Sequence, residues 1–234
     1  MVIFKFQSIS TMLDHKILGL LELVVESYIE KWEPIWSKFL NTLNYQSWAP
    51  STLRKYLKVL EDEEFVYQPY HSAGRIPTLK WWEFYVQRIL EDVETPQNDI
   101  LRARSQIKDL VEMLGSLVKW VVVWFIDGDD YHYLWIQNLL SHPTFLNELE
   151  TVQQIVWRIE SKKIIDMLKK KDIKRQQVNY SFVSIKEGKL VSIFTIKIPF
   201  GWREGIVAVI SPVRTNYRHN LGILKKLLEV YNLA

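Results

Sequence analysis

The chain has 234 residues, of which 48% are apolar and 24% are charged, and this globular balance argues against a disordered or fibrous protein. It has no cysteine, which excludes disulfides, cysteine-ligated metal sites and a thiol nucleophile, and its net charge of +3 does not by itself indicate a nucleic-acid binder. No apolar run is long enough to span a bilayer, and the first ten residues lack a signal-peptide pattern, so we expect a soluble cytoplasmic protein.

The first third of the chain predicts helices. Apolar residues at three- and four-residue spacing predict an amphipathic helix over residues 13–31, and Pro34 ends it. A short second helix follows, with Phe39 and Leu40 on its buried side. Pro50 is well placed as the first residue of a third helix, because its missing N–H costs no hydrogen bond there.

The third helix has two contrasting faces. Leu53, Leu57 and Leu60 recur at helical spacing and are expected to be buried. The opposite face carries hydroxyl and basic side chains, which either contact phosphates and base edges in a DNA groove or simply lie in solvent. These outward residues are Ser51, Thr52, Arg54, Lys55 and Lys58.

A β-hairpin is predicted after the third helix. The β-prone residues 65–67 and the returning residues 75–78 flank a turn in which Gly74 permits a positive φ. Three helices followed by a hairpin are typical of a winged helix-turn-helix, and a three-helix bundle with a plain surface hairpin is the alternative. The hairpin residues that can reach a phosphate or a minor groove are His71, Ser72 and Arg75.

The rest of the chain predicts an antiparallel sheet with helices on one side, which makes the whole chain α+β. We interpret residues 94–98 as a linker between two domains, residues 1–94 and residues 95–234. The elements after the third helix and its hairpin are helical residues 80–116 with one break, strands 120–126 and 131–136, a long helix over residues 145–170, strands near residues 178–185, 190–199 and 205–210, and a closing helix over residues 218–231.

Other polar clusters have ordinary explanations. The acidic turn of residues 127–130 lacks the ligand spacing of a calcium loop, and the five histidines form no ligand pair, so no metal is expected. The basic residues 162–175 are either a second nucleic-acid patch or, as we favour, a solvated helix end. No catalytic constellation or cofactor-binding loop is found, so we expect neither an enzyme nor a cofactor. The ten tryptophans are expected mostly in the core.

Five segments in the same order resemble the HrcA heat-inducible transcription repressors. The most specific is the run QPYHSAGRIPT at residues 68–78, which is similar to the wing signature of that family and continues at residues 84–86. The other four segments are residues 33–38, 50–54, 138–145 and 209–217.

The resemblance implies a homodimeric repressor with an N-terminal winged helix and a GAF-like domain. Such a protein binds double-stranded DNA at an inverted-repeat operator, called CIRCE, ahead of chaperone operons, and the chaperonin GroEL supports its activity. The segment at residues 33–38 adds Ser37 and Lys38 to the implied DNA contacts. The inserted dimerisation domain of the family is reduced or missing here, between about residues 110 and 133.

The chain differs from the family pattern at several positions, among them Trp81 and Trp82, which replace a Gly-Tyr pair. Lys55 and Tyr56 stand where the family usually has Asn and Asp, which predicts a different base preference. Ala49 stands where the family often has a helix-capping Ser.

The sequence therefore predicts a DNA-binding transcriptional repressor of heat-shock genes that acts as a dimer. One alternative is a ligand-sensing winged-helix regulator of other genes. The other is a protein-interaction module that has lost DNA binding, because residues 1–95 carry 10 basic against 13 acidic side chains, whereas residues 96–234 carry 20 against 14.

Overall fold

The computed structural model describes residues 15–31, 33–43, 48–96, 107–126, 130–142, 145, 148–186, 189–200 and 203–232. The chain divides into two compact units, Met1–Arg88 and Ile89–Ala234. Helices and an antiparallel sheet together confirm the α+β class. Within the described ranges, no helix combines the length and the apolar character that a membrane crossing requires.

The first unit consists of helices and a short antiparallel ladder, in which Val66 lies opposite Pro77 and Tyr67 opposite Ile76. Helix α4 begins in this unit, and its last four residues belong to the second. The elements are α1 (His15–Lys31), α2 (Ser37–Thr42), α3 (Pro50–Asp62), β1 (Val66–Tyr67), β2 (Ile76–Pro77) and α4 (Leu79–Asp92).

Apolar side chains on one face of each long helix form the core of the first unit. Leu20 and Leu21 of α1 are completely buried. Trp81 and Trp82 of α4 are 0% and 1% exposed, and Trp81 meets the ring of Phe65 edge-on at a centroid distance of 6.1 Å. Aromatic burial of this extent supplies much of the apolar area that a unit of this size needs to fold.

The second unit is built on one five-stranded antiparallel sheet with the strand order β4-β3-β7-β6-β5. The long strands β6 and β7 pair over ten residue positions in its centre. The elements are α5 (Ile107–Val118), β3 (Val121–Ile126), β4 (Asp130–Leu134), α6 (Gln137–Ser141), α7 (Leu149–Glu160), α8 (Lys163–Lys169), β5 (Asn179–Lys186), β6 (Lys189–Phe200), β7 (Arg203–Pro212) and α9 (Tyr217–Asn232).

Helices cover both faces of this sheet, so the prediction of helices on one side was wrong. The ring of Tyr217 in α9 packs on Phe194 of β6, on one face. On the other face, the Tyr131 hydroxyl of β4 donates to the backbone oxygen of Ile159 in α7. Burial on both sides explains why β3 reads as a continuous apolar run rather than an alternating one.

The single long helix predicted over residues 145–170 is also wrong, because the structure has two helices with a break between them. Lys162 has a left-handed backbone with φ of 59° and separates α7 from α8. The buried stripe of α7, which includes Ile155 and Ile159, would turn Lys163 and Asp166 inward if the helix continued. The break rotates the chain so that α8 buries its apolar residues instead, namely Ile164, Ile165 and Leu168.

Some predicted features lie outside the described residues. These are the start of the first helix at residues 13 and 14, most of the turn before Pro50, part of the linker, and residues 127–129 of the acidic turn.

Candidate nucleic-acid interface

Helix α3 begins at Pro50 and buries one stripe of leucines. Leu53, Leu57 and Leu60 are 2%, 0% and 0% exposed, as their spacing predicted. This burial fixes the rotation of the helix, and its polar side faces outward as a result. The predicted contact residues on that side are Ser51, Arg54, Lys55 and Lys58, which are exposed, and Thr52, which is half-buried.

The first turn of α3 lacks a side-chain cap. Ala49 precedes the helix in an extended conformation, and its carbonyl oxygen accepts hydrogen bonds from the N–H groups of Thr52 at 2.9 Å and Leu53 at 3.1 Å. Its methyl group cannot accept a bond from the other N–H groups of the first turn. Backbone donors and the positive end of the helix dipole therefore accompany the Ser51 hydroxyl at this end, which is the chemistry of a phosphate contact.

The three cations of α3 differ in their electrostatic partners. Arg54 and Lys55 are exposed and form no ion pair with any residue in the described ranges. The ammonium of Lys58 lies 3.0 Å from the Asp62 carboxylate and 3.7 Å from that of Glu61. The hydrogen bond to Asp62 and the attraction of both carboxylates raise the pKa of Lys58 above its ordinary value of 10.5. An incoming phosphate has to compete with these carboxylates for Lys58, but not for Arg54 or Lys55.

Helix α2 supplies Ser37 and Lys38 from its first turn. Ser37 is half-buried, whereas Lys38 is exposed. The helix packs against α3. Trp36, immediately before α2, is 47% exposed, which is unusual for so large an apolar ring.

The loop between β1 and β2 is held by its own hydrogen bonds. The N–H of Ala73 donates to the oxygen of Tyr70 at 2.8 Å, and Nε2 of Gln68 donates to the oxygen of Ala73 at 2.8 Å. His71 and Ser72, both predicted contacts, are exposed within this loop. Tyr70 is 62% exposed beside them.

Backbone hydrogen bonds join the hairpin to the segment before α2. Ile35 and Arg75 exchange two backbone hydrogen bonds, of 2.9 Å from Ile35 N and 2.8 Å from Arg75 N. A Cβ at Gly74 would lie 2.6 Å from the backbones of Pro34 and Ile35, so only glycine fits this close approach. The prediction of a positive φ at Gly74 was wrong; glycine is required there by the neighbouring backbone.

Arg75 is a predicted contact that forms an internal ion pair. Its Nη2 atom lies 3.2 Å from Oε2 of Glu61, in the last turns of α3, and its side chain is only 20% exposed. The Nε atom is buried, with no hydrogen-bond partner in the described part of the chain. This geometry makes Arg75 a residue that positions the hairpin against α3.

Two exposed aromatic residues beside the predicted contacts were missed by sequence reasoning. Trp36 and Tyr70 are 47% and 62% exposed, next to Ser37 and His71 respectively. The tryptophans were predicted to lie mostly in the core, so the exposure of Trp36 was not anticipated. The signal for Tyr70 was its place inside a predicted turn, where an aromatic ring has little to pack against.

We call the exposed polar face of α3 together with the β1–β2 loop the α3–hairpin surface. It offers a guanidinium that can bond a guanine edge bidentately, ammonium groups and hydroxyls for phosphates, and a loop that can follow a groove. Acidic residues Glu61, Asp62 and Glu64 follow the basic part of α3 and oppose a polyanion. The surface is therefore basic at the start of α3 and acidic from the last turn of α3 onward.

Comparison with curated proteins finds relatives of one class. A protein of Thermodesulfovibrio yellowstonii is 38% identical over 109 residues, which are 47% of this chain and 30% of the relative. One of Kineococcus radiotolerans is 40% identical over 78 residues, 33% of this chain and 22% of the relative. One of Cutibacterium acnes is 36% identical over 94 residues, 39% of this chain and 28% of the relative. All three are transcription repressors by name.

The repressor is the same in each case, the heat-inducible transcription repressor HrcA. The resemblance predicted from the sequence motifs is therefore confirmed. In each of these relatives the similar stretch spans less than a third of the length. No family model matches the chain.

A similar fold is known from a crystal structure of a hypothetical protein. It superposes with a TM-score of 0.73 over 95% of this chain and 97% of that chain, at 16% sequence identity. The likeness covers both units and concerns the fold alone.

Proposed function

We propose that this chain is a DNA-binding transcription repressor whose first domain, residues 1–94, is a winged helix-turn-helix. Helix α3 is the recognition helix and the β1–β2 hairpin is the wing, because a helix with one buried and one basic face followed by a hairpin is the arrangement such proteins use. The main support is that Arg54 and Lys55 on α3 are exposed and form no ion pair with any described residue, in a chain similar to named repressors.

In the proposed complex the residues have different tasks. Arg54 pairs with a guanine edge in the major groove, and Lys55 meets a neighbouring base or phosphate. His71 and Ser72 of the wing contact the adjacent minor groove or its phosphates. Arg75 holds the wing in place through Glu61. The phosphate contacts that fix the position on the duplex come from Ser37, Lys38, Ser51, Thr52 and Lys58.

The wider proposal follows the relatives' name and the family resemblance. The repressor is a homodimer that occupies an inverted repeat at heat-shock promoters, because a two-fold symmetric operator needs two recognition helices one or more helical turns apart. Residues 95–234 form a GAF-like domain for regulation and dimerisation, and the chaperonin GroEL supports the active conformation. The protein acts in the cytoplasm.

A specific observation favours a second candidate, an interaction module without DNA binding. Lys58 and Arg75 already have carboxylate partners, and acidic side chains continue beyond the end of α3. In this case the α3–hairpin surface recognises another protein, and its remaining cations are ordinary solvated side chains.

Fluorescence anisotropy with a labelled CIRCE-type duplex separates the two candidates. The native chain is compared with Arg54→Ala and with Lys108→Ala, which removes one exposed cation from α5 in the other unit. We expect Arg54→Ala to weaken binding about ten-fold or more, because a bidentate base contact contributes roughly 1–3 kcal/mol. Lys108→Ala should bind as the native chain does.

Equal affinities for all three proteins would contradict a recognition role for α3. Undetectable binding of the native chain to this duplex and to a random-sequence duplex would favour the interaction module instead. Circular dichroism of each variant checks that the fold is kept.

A further inference from the structure

The second unit contains a pocket of about 270 Å³ above one face of its sheet. Its floor is a row of three directly opposed residues on adjacent strands, Phe125 of β3, Ile206 of β7 and Lys197 of β6. Its wall comes from the α8 region and includes Leu168. The pocket therefore lies between the sheet and the end of α8, and every residue lining it belongs to Ile89–Ala234.

Three lysines converge on this pocket from distant parts of the chain. Lys169 is the last residue of α8, Lys171 follows two residues later, and both are exposed, whereas Lys197 lies on strand β6 of the sheet. The one acidic lining residue, Glu204, is engaged by Arg175, whose Nε lies 2.6 Å from its carboxylate. Within the described residues, Lys171 and Lys197 form no ion pair with Glu204 or with another carboxylate, so these two lysines leave positive charge in the pocket.

Lys197 is the lysine that the sheet contributes to the pocket. It is half-buried, it lies directly opposite Ile206 in the floor, and it has no ion-pair partner within the described residues. Lys171 donates to the Ser181 hydroxyl at 2.5 Å, which orients it without neutralising it. An ammonium group at the edge of an apolar floor attracts an anion more strongly than one surrounded by water, because the local dielectric constant is lower.

We propose that this pocket binds a small organic anion with two or more negative charges and a short apolar part. Phosphate esters and polycarboxylates share this chemistry, and both suit the ammonium groups of Lys171 and Lys197 beside a floor that includes Phe125 and Ile206. The volume is at the lower end of ligand sites and suits a small molecule. This assigns a role to part of the basic stretch of residues 162–175, and it does not depend on DNA binding by α3.

Isothermal titration calorimetry of the full chain tests the proposal. The probes are glucose 6-phosphate and citrate, which distinguish the phosphate from the carboxylate source, with glucose as a neutral control. Lys197→Met removes the central charge and keeps the apolar stem. Lys170→Met is the matched control, because Lys170 is exposed in the same segment and does not line the pocket. Lys171→Met repeats the test if Lys197→Met lowers the melting temperature.

We expect one of the two anions to bind at a single site, while glucose does not. Lys197→Met should weaken that binding about ten-fold or more, and Lys170→Met less than about two-fold. Absence of binding by both anions would overturn the proposal. An equal loss in both variants would also overturn it, because diffuse attraction to a basic surface then explains the binding. If only a random DNA duplex binds, and both variants weaken it alike, these lysines belong to a nucleic-acid surface and the proposal fails.

Discussion

Ala49 occupies the N-cap position of α3, and it provides no side-chain cap for the helix. It has the extended backbone of a capping residue, yet no side-chain oxygen that could accept a hydrogen bond from the first turn. We expect Ala49→Ser to increase the free energy of unfolding by about 1 kcal/mol. Urea unfolding followed by circular dichroism measures this change. Ala49→Val, which adds bulk but no oxygen, should give no gain, and an equal gain from Val would contradict the capping explanation.

We expect His142 to make the stability of the second unit depend on pH. Its ring lies 4.4 Å from that of Trp120, and burial lowers its pKa below the ordinary value of 6.5. The unfolded chain therefore binds this proton more readily than the folded chain, and the free energy of unfolding falls as the pH drops below about 6.5. The effect is absent above that pH, where the ring is neutral in both states.

We expect the native chain to lose more stability between about pH 7.5 and pH 5.5 than His142→Phe, which keeps a ring but cannot take up a proton. Urea unfolding at both pH values measures the difference. His71→Asn, at the exposed hairpin loop, is the control and should follow the native pH dependence. An unchanged pH dependence in His142→Phe would contradict the assignment.

At the scale of elements, α3 combines a basic start with an acidic end. Asp62 holds Lys58 at 3.0 Å, so its carboxylate both occupies a cation and repels phosphate. If α3 lies in a DNA groove, Asp62→Asn should strengthen binding to duplex DNA by about two- to five-fold at low salt, and the gain should shrink as salt is added. Anisotropy titrations measure both effects.

Glu112→Gln is the matched control for this prediction, because it removes one exposed carboxylate from α5 in the other unit. It should leave DNA affinity unchanged. Weaker binding by Asp62→Asn, or the same gain in both variants, would contradict an α3 that faces DNA.

Helices and strands could be predicted where the local sequence pattern determines their position. The leucine stripe of α3 and the start of the helix at Pro50 were predicted correctly, because spacing and proline geometry are local properties. The break between α7 and α8 was missed because no glycine or proline marks it. Its signal was a shift in the phase of the apolar stripe between Ile159 and Ile164.

The contacts that shape the candidate site join distant parts of the chain, and local pattern does not contain them. The bridge between Ile35 and Arg75 spans forty residues, and it explains why Gly74 is glycine. The ion pair between Arg75 and Glu61 could not be predicted from the sequence either. Arg75 was therefore predicted to contact DNA, as His71 and Ser72 were. The pocket could not be predicted from composition either, because its lysines come from α8, from the segment that follows α8, and from β6.

For the molecule as a whole, the distribution of charge decides how DNA binding has to be measured. The first 95 residues have more acidic than basic side chains, so general attraction to a polyanion is weak and specificity has to come from placed contacts. The remaining residues are more basic and could attract DNA without any sequence preference. The affinity for a single duplex therefore does not separate specific from non-specific binding. The ratio of the affinities for two duplexes does.

The most direct test is the ratio of affinities of the native chain for a CIRCE-type inverted repeat and for a scrambled duplex of the same composition, measured by anisotropy between about 50 and 200 mM salt. We expect the repeat to bind about a thousand-fold more tightly than the scrambled duplex, and a duplex with one half-site to fall between the two. Equal and weak binding of the repeat and the scrambled duplex at every salt concentration would contradict a repressor that reads this operator.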